Sequence, residues 1–169
     1  LLLQQQFRTS REDSNLVGNI YFSNYYKWQG RVCDQYLASE LPDLSSRTPD
    51  GQFVCIHAEV HHLQEAMPFE IIEVSMYLYK VFTEGFVVYF EYHIVDKGDE
   101  SEKKRKIAHG QHGVVWALCG HQLDGKLHPV TMPDEYRTHF MMMVDEVSSD
   151  VDAKGETDRS YAVGGNQLI

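Results

Sequence analysis

Asn15-Leu16-Val17-Gly18-Asn19-Ile20-Tyr21-Phe22-Ser23-Asn24-Tyr25-Tyr26-Lys27-Trp28-Gln29-Gly30-Arg31 is the stretch that decides the fold. It sets two asparagines about a glycine, adds five aromatics, and leads straight into a helical pattern. From about Ser23 the positions Tyr25, Trp28, Val32, Tyr36 and Leu37 recur at three- and four-residue spacing. That spacing is one face of a helix, running to about Leu41 and stopped by Pro42. Gly30 lies inside it at a cost of about 1 kcal/mol against alanine, which predicts that something packs close to the helix backbone there.

Outward from this helix the chain reads mostly as strands. Residues 1–9 form a first strand, and Asp43 to Gln52 a loop rich in Ser, Pro and Gly. Phe53 to His62, Glu70 to Phe82, Phe86 to Val95 and Lys106 to Cys119 follow as four strand patterns. Thr83-Glu84-Gly85, Asp96 to Glu102 and Gly120 to Lys126 are the turns between and after them. Pro133, Asp134 and Glu135 open a short helix, because proline and acids suit a first helical turn. One helix followed by a run of strands predicts an α+β fold, an antiparallel sheet with the helix on one face. The polar stretch Asp145 to Gly165 is read as tail, giving a domain over 1–144 and a tail or linker over 145–169.

A chain of 169 residues with 43% apolar and 24% charged residues suits one domain with a real core. Its net charge of −10 argues against nucleic acid, whose binding draws on basic surfaces, and against simple attraction to acidic partners. No run approaches the roughly 18–20 apolar residues of a membrane span, and Leu1-Leu2-Leu3 is too short for a signal-peptide core. Cys33, Cys55 and Cys119 are odd in number and form no C-x-x-C pair, the pattern of reduced thiols in a cytoplasmic protein.

Several polar clusters carry candidate chemistry. His57 and His61 share one strand face about 13 Å apart, at about 3.3 Å per residue, while His62 faces the other way. That geometry favours strand histidines over a metal site. Lys103-Lys104-Arg105-Lys106 directly follows an acidic run, so a mixed-charge hairpin is favoured over a phosphate site. Cys33 has no activating base in reach of sequence reasoning and reads as a small packed residue. Glu59 and Glu65 are possible general bases. The start of the helix stands apart, since backbone N–H groups and the helix dipole there stabilise negative charge on a carbonyl oxygen. Beside that reading stands a structural one, an Asx-turn and helix cap built from Asn and Ser.

With these residues quoted, the stretch 15–31 strongly resembles the hot-dog-fold thioesterases of enediyne polyketide biosynthesis, relatives of 4-hydroxybenzoyl-CoA thioesterase. The resemblance continues more loosely through Glu65-Ala66-Met67-Pro68-Phe69-Glu70 and Pro129 to Tyr136, spanning about residues 5–140. It implies a single hot-dog fold, an antiparallel sheet wrapped around a long central helix. The implied activity is hydrolytic release of a polyketide from an acyl carrier protein or polyketide synthase, with decarboxylation of a β-keto acid able to follow. No cofactor is implied, the substrate itself carrying a phosphopantetheine arm, and the implied assembly is a homodimer or homotetramer.

By the same match Asn15 orients the thioester or water, the amide near Phe22 contacts the oxyanion, and Tyr25 lines the acyl channel. Gly18, Asn19, Trp28, Arg31, Cys33 and Glu65 would surround the substrate. The wider family often carries aspartate at the position of Asn15, whereas enediyne members carry asparagine. Those members also place an arginine near Cys33. Arg31 does not replace it, because two helical positions are about 200° apart. Two other functions therefore stay open: a non-hydrolytic synthase domain of dehydratase, isomerase or cyclase kind, and an inactive acyl-binding domain. The usual dehydratase sequence, a histidine followed by Gly and Pro, is absent.

Overall fold

The computed structural model describes residues 1–41, 51–97, 102–118 and 127–152. Strand β1 (Leu3–Arg8) leads through a 3-10 turn (Arg11–Asp13) into helix α1 (Ser23–Glu40). Strands β2 (Gln52–His62), β3 (Ile71–Phe82), β4 (Gly85–Lys97) and β5 (Glu102–Leu118) follow. A two-residue strand β6 (His128–Pro129) and helix α2 (Asp134–Asp152) complete the described chain. The sheet is antiparallel in the order β1-β3-β4-β5-β2, with β6 on β5, so β1 and β2 are its edges. The antiparallel α+β arrangement about one long helix agrees with the sequence.

Both helices lie on one face of the sheet. The apolar face of α1 buries Tyr25, Trp28, Val32, Cys33 and Tyr36. Beneath them β3 and β4 turn inward Ile72, Val74, Met76, Val88, Phe90 and Tyr92. Phe7 stacks on Trp28 at 5.6 Å, Tyr25 meets Trp28 and Tyr92 at 5.2 Å each, and the Tyr92 hydroxyl donates to the Tyr25 carbonyl at 3.1 Å. Helix α2 closes the far end with Tyr136 and Phe140, which sits 4.2 Å from Phe86.

The close approach that the sequence assigned to Gly30 is elsewhere. A side chain built on Gly30 would meet nothing within 4 Å. The tight contact is at Gly110 on β5, where a Cβ would stand 2.2 Å from the Glu59 carbonyl and 2.6 Å from Gln29 Nε2. Through that gap Gln29, on α1 and only 1% exposed, donates to the Glu59 carbonyl of β2 at 3.1 Å. Helical periodicity shows where a helix glycine lies but not which strand glycine it meets.

Two other expectations change. Helix α2 is long, running to Asp152 across the 144/145 boundary set for the tail; residues 153–169 lie outside the described residues. β5 begins at Glu102, four residues before the expected Lys106, so the basic run lies in the strand arm of the mixed-charge β4–β5 hairpin. On the helix-free face, Lys104 pairs with Glu73 at 2.7 Å and Lys106 with Glu91 at 2.6 Å; Arg105, between them in sequence and opposite Ile94 of β4, approaches Glu70 at 3.8 Å. Burial works upward on the Glu73 carboxyl, but bonds from Lys104 and Gln6 outweigh it and hold its pKa below the usual value. The expected turn at Gly120 to Lys126 and most of the loop at Asp43 to Gln52 lie outside the described residues.

Gly110→Ala drives a methyl group into the Glu59 carbonyl and the Gln29 amide. Such overpacking costs about 1–3 kcal/mol, to be read as a lower urea midpoint than that of the parent or of Gly30→Ala.

Candidate functional site

The segment between the 3-10 turn and α1 is a small pinned loop. Ser14 and Ile20 form an antiparallel bridge, and the Ile20, Tyr21 and Asn15 amides donate to Ala66, Asp13 and Asn19 carbonyls at 2.8, 2.7 and 2.9 Å. Inside the loop Asn15 makes an Asx-turn, its Oδ1 accepting from the Val17 and Gly18 amides at 2.9 and 3.1 Å. Gly18 sits at φ +99°, a left-handed conformation that glycine adopts without steric cost. Leu16 and Val17 at the tip are 108% and 87% exposed.

Because the Asn15 oxygen is committed to backbone, its Nδ2 is free to donate, and it donates to Asn19 Oδ1. Asn19 in turn donates to Glu65 Oε1 at 3.0 Å. The three side chains form one directional chain ending on a carboxylate. An aspartate at position 15 would supply no proton for the Asn19 oxygen, so asparagine is the residue that this loop accommodates.

Phe22 is the N-cap of α1 and its side chain caps nothing. Its own amide and that of Ser23 have no acceptor among the described residues, as expected for the orphan donors of a helix start. Phe22 lines a cavity of about 340 Å³ with Asn15, Asn19, Tyr25, His62 and Glu65. Tyr25 is 2% exposed and burial pushes its hydroxyl up to about 12, with Glu70 adding to the shift, so the phenol stays protonated at neutral pH.

Five of the residues singled out from the sequence thus meet at one cavity: Asn15, Asn19, Phe22, Tyr25 and Glu65. Four do not line it. Gly18 shapes the loop behind it, and Trp28 is core between Phe7 and Tyr25. Arg31 is exposed on α1. Cys33 is 4% exposed, its thiol pushed up to about 12 by burial, with Asp34 and Cys55 contributing. His62 is a lining residue that sequence reasoning set aside. Its parity, opposite to His57 and His61, is the signal that could have found it. That parity sets its ring on the helix side of the sheet, edge-on to Tyr25 at 4.6 Å and still open to solvent, while His57 and His61 approach Glu59 on the other face.

A larger cavity of about 690 Å³ lies at the ends of β3, β4 and β5, lined by Phe69, Glu70, Asp96, Lys103, Lys104 and Arg105 among others. Arg105 stands between the two cavities, bonded to Gln64 on one side and near Glu70 on the other. Lys104 and Arg105 are set against carboxylates, while Lys103 is exposed beside them.

No family model matches the sequence, and no curated protein does so. Solved structures do. The dynemicin thioesterase, described in its complexes with polyene, superposes with a TM-score of 0.69 at 26% identity, covering 83% of this chain and 95% of that one. The 4-hydroxybenzoyl-CoA thioesterase of Pseudomonas sp. strain CBS-3 gives 0.67 at 14% identity over 82% and 97%. A gentisyl-coenzyme A thioesterase gives 0.60 at 20% identity over 80% and 99%. The sequence resemblance and the hot-dog fold that it implied are thereby met in structure.

Two outcomes follow. Asn15→Asp sets a carboxylate against the Asn19 oxygen and is expected to lower stability by about 1–3 kcal/mol, measured by urea unfolding at neutral pH. Iodoacetamide applied to the folded protein is expected to label Cys55, which is exposed, and to spare Cys33; peptide mapping by mass spectrometry reads both sites.

Proposed function

We propose that this chain, a hot-dog-fold thioesterase, hydrolyses the thioester joining a polyketide to the phosphopantetheine arm of an acyl carrier protein or synthase. The observation that carries this reading is the cavity at the start of α1, where Phe22 brings a spare backbone donor beside a polar chain and a protonated tyrosine. The likeness to the dynemicin thioesterase, at 26% identity over most of both chains, supports the carrier-bound polyketide over a small coenzyme A ester.

In this mechanism the thioester carbonyl lies over the first turn of α1. The Phe22 amide and the helix dipole stabilise the oxygen as it gains negative charge, without reorganisation during the reaction. Asn15, held in orientation by the loop amides and by Asn19, directs its amide group toward the substrate or its attacking water. Tyr25 lines the channel as a neutral, rigid wall. Water adds to the carbonyl, the tetrahedral intermediate collapses, and the C–S bond breaks to leave a free acid and the pantetheine thiol. A β-keto acid so released can then lose carbon dioxide.

Trp28 and Cys33 have no contact with substrate in this scheme, since both lie in the core. The basic run is a weak carrier dock for the same reason of prior commitment. Strand β2 offers a different partner surface. Among the described residues its outer edge has no strand beside it, and Ile56, His57 and Ala58 along it are exposed. Such an edge is capped when two copies pair strand to strand, so the working form is a homodimer, or a homotetramer built from two, acting in the cytoplasm. Among the described residues no helix is long and apolar enough to cross a membrane.

Incubation with acyl-carrier and acyl-coenzyme A thioesters tests the reading, with thiol and acyl product followed by mass spectrometry. Free acid above background, reduced about 10²-fold or more by Asn15→Ala, is the expected result. Loss of water from a chain still attached would instead identify a dehydratase, and unchanged mass with acyl binding an acyl-binding domain.

A further inference from the structure

The proposed hydrolysis leaves one chemical requirement unmet. Water must lose a proton as it attacks, and the departing thiolate must gain one. Among the cavity-lining residues only Tyr25, His62 and Glu65 exchange protons. Tyr25 is pushed up to about 12 and cannot accept one at neutral pH. Glu65 accepts the Asn19 amide at Oε1, which ties its carboxylate into the bonding chain of the loop. His62 is different. Its imidazole is held edge-on against the Tyr25 ring at 4.6 Å and 88°, and neither ring nitrogen has a hydrogen-bond partner among the described residues.

We infer that His62 is the proton carrier of this site, taking the proton from the attacking water and returning it to the leaving sulfur. This rests on the thioesterase reading and completes it. The water oxygen forms its bond to the carbonyl carbon while an imidazole nitrogen takes the water proton. The carbonyl π electrons move to the oxygen, which the Phe22 amide stabilises. When that electron pair returns, the C–S bond breaks, the sulfur keeps the bonding pair, and the imidazolium proton passes to it. The imidazole ends as it began, and no further reactant is consumed.

The surroundings keep the imidazole neutral and ready to accept. Burial lowers the His62 pKa from the usual 6.5, and the neighbouring His61 lowers it further. The groups that face it are Tyr25 from α1, Glu65 from the segment after β2, and His61 on its own strand; Glu70 lies farther off beside Tyr25. Its partner across β5 is Ala108, which carries no charge. The base form therefore predominates at neutral pH, and activity falls as pH drops through the histidine pKa, below 6.5.

The test compares the parent with His62→Phe and His62→Asn in the full chain, measuring kcat/KM for thiol release from an acyl-carrier-protein thioester between about pH 5 and about pH 9. His62→Phe keeps an aromatic edge on Tyr25 but has no nitrogen, and urea unfolding checks that it is folded. The expected result is a drop of about 10²–10⁴-fold in both variants, with loss of the acid limb seen in the parent. Thiol release by the parent with an unchanged rate and acid limb in a folded His62→Phe overturns the role of His62 and leaves the thioesterase reading standing. No thiol release by the parent overturns both.

Discussion

Everything at the site depends on how the first two turns of α1 are held against the sheet. Trp28 lies between Phe7 of β1 and Tyr25, and Tyr25 is gripped by the ring and hydroxyl of Tyr92 from β4. Aromatic contacts of this kind contribute about 0.5–1.5 kcal/mol each beyond the area they bury. More importantly, they fix the helix at three points near its start. The Phe22 amide lies within one turn of that clamp, so its position is set by core packing and not by the loop that precedes it. A donor that must meet a developing charge gains from this rigidity, because little is left to reorganise.

The loop itself is fixed by a different rule, the obligation of each polar group to find a complementary one. Asn15 spends its oxygen on two backbone amides, so its nitrogen must find an acceptor, and Asn19 then passes the demand on to Glu65. Direction runs one way along this chain, toward the carboxylate. The asparagine at position 15 thus follows from local bonding. An amide at that position neither gives nor takes a proton at neutral pH.

The helix and the site loop were legible in the sequence because both are local. The spacing of Tyr25, Trp28, Val32 and Tyr36 marks one buried face, and Pro42 lies just beyond the helix end. What escaped was set by partners distant in sequence. Lys104 and Lys106 read as part of a mixed-charge hairpin beside the acids at 99–102, and their partners across the sheet, Glu73 and Glu91, are ones that only the register reveals. Gly110 carried no signal until Gln29 was placed above it. His62 was weighed only with His57 and His61, as a metal cluster, and was set aside with them as strand histidines. The alternation of the strand that separates it from them is also what delivers it to the cavity. Helix α2 was cut short because polar composition after Asp145 suggested a tail, while a helix end can be polar all round.

The ion pairs on the helix-free face have a consequence for how salt acts on this chain. With Lys104 and Lys106 matched to carboxylates at contact distance, the basic run adds little to the potential felt at a distance, and the field is that of a chain with net charge −10. Ions at physiological strength screen beyond about 8 Å. They damp that outer field while acting much less on the Lys104 pair, whose glutamate side chain is 3% exposed. Raising ionic strength therefore quickens the encounter with any acidic carrier and leaves the sheet's own charge pairing nearly untouched. Association and folding in this chain answer to salt separately.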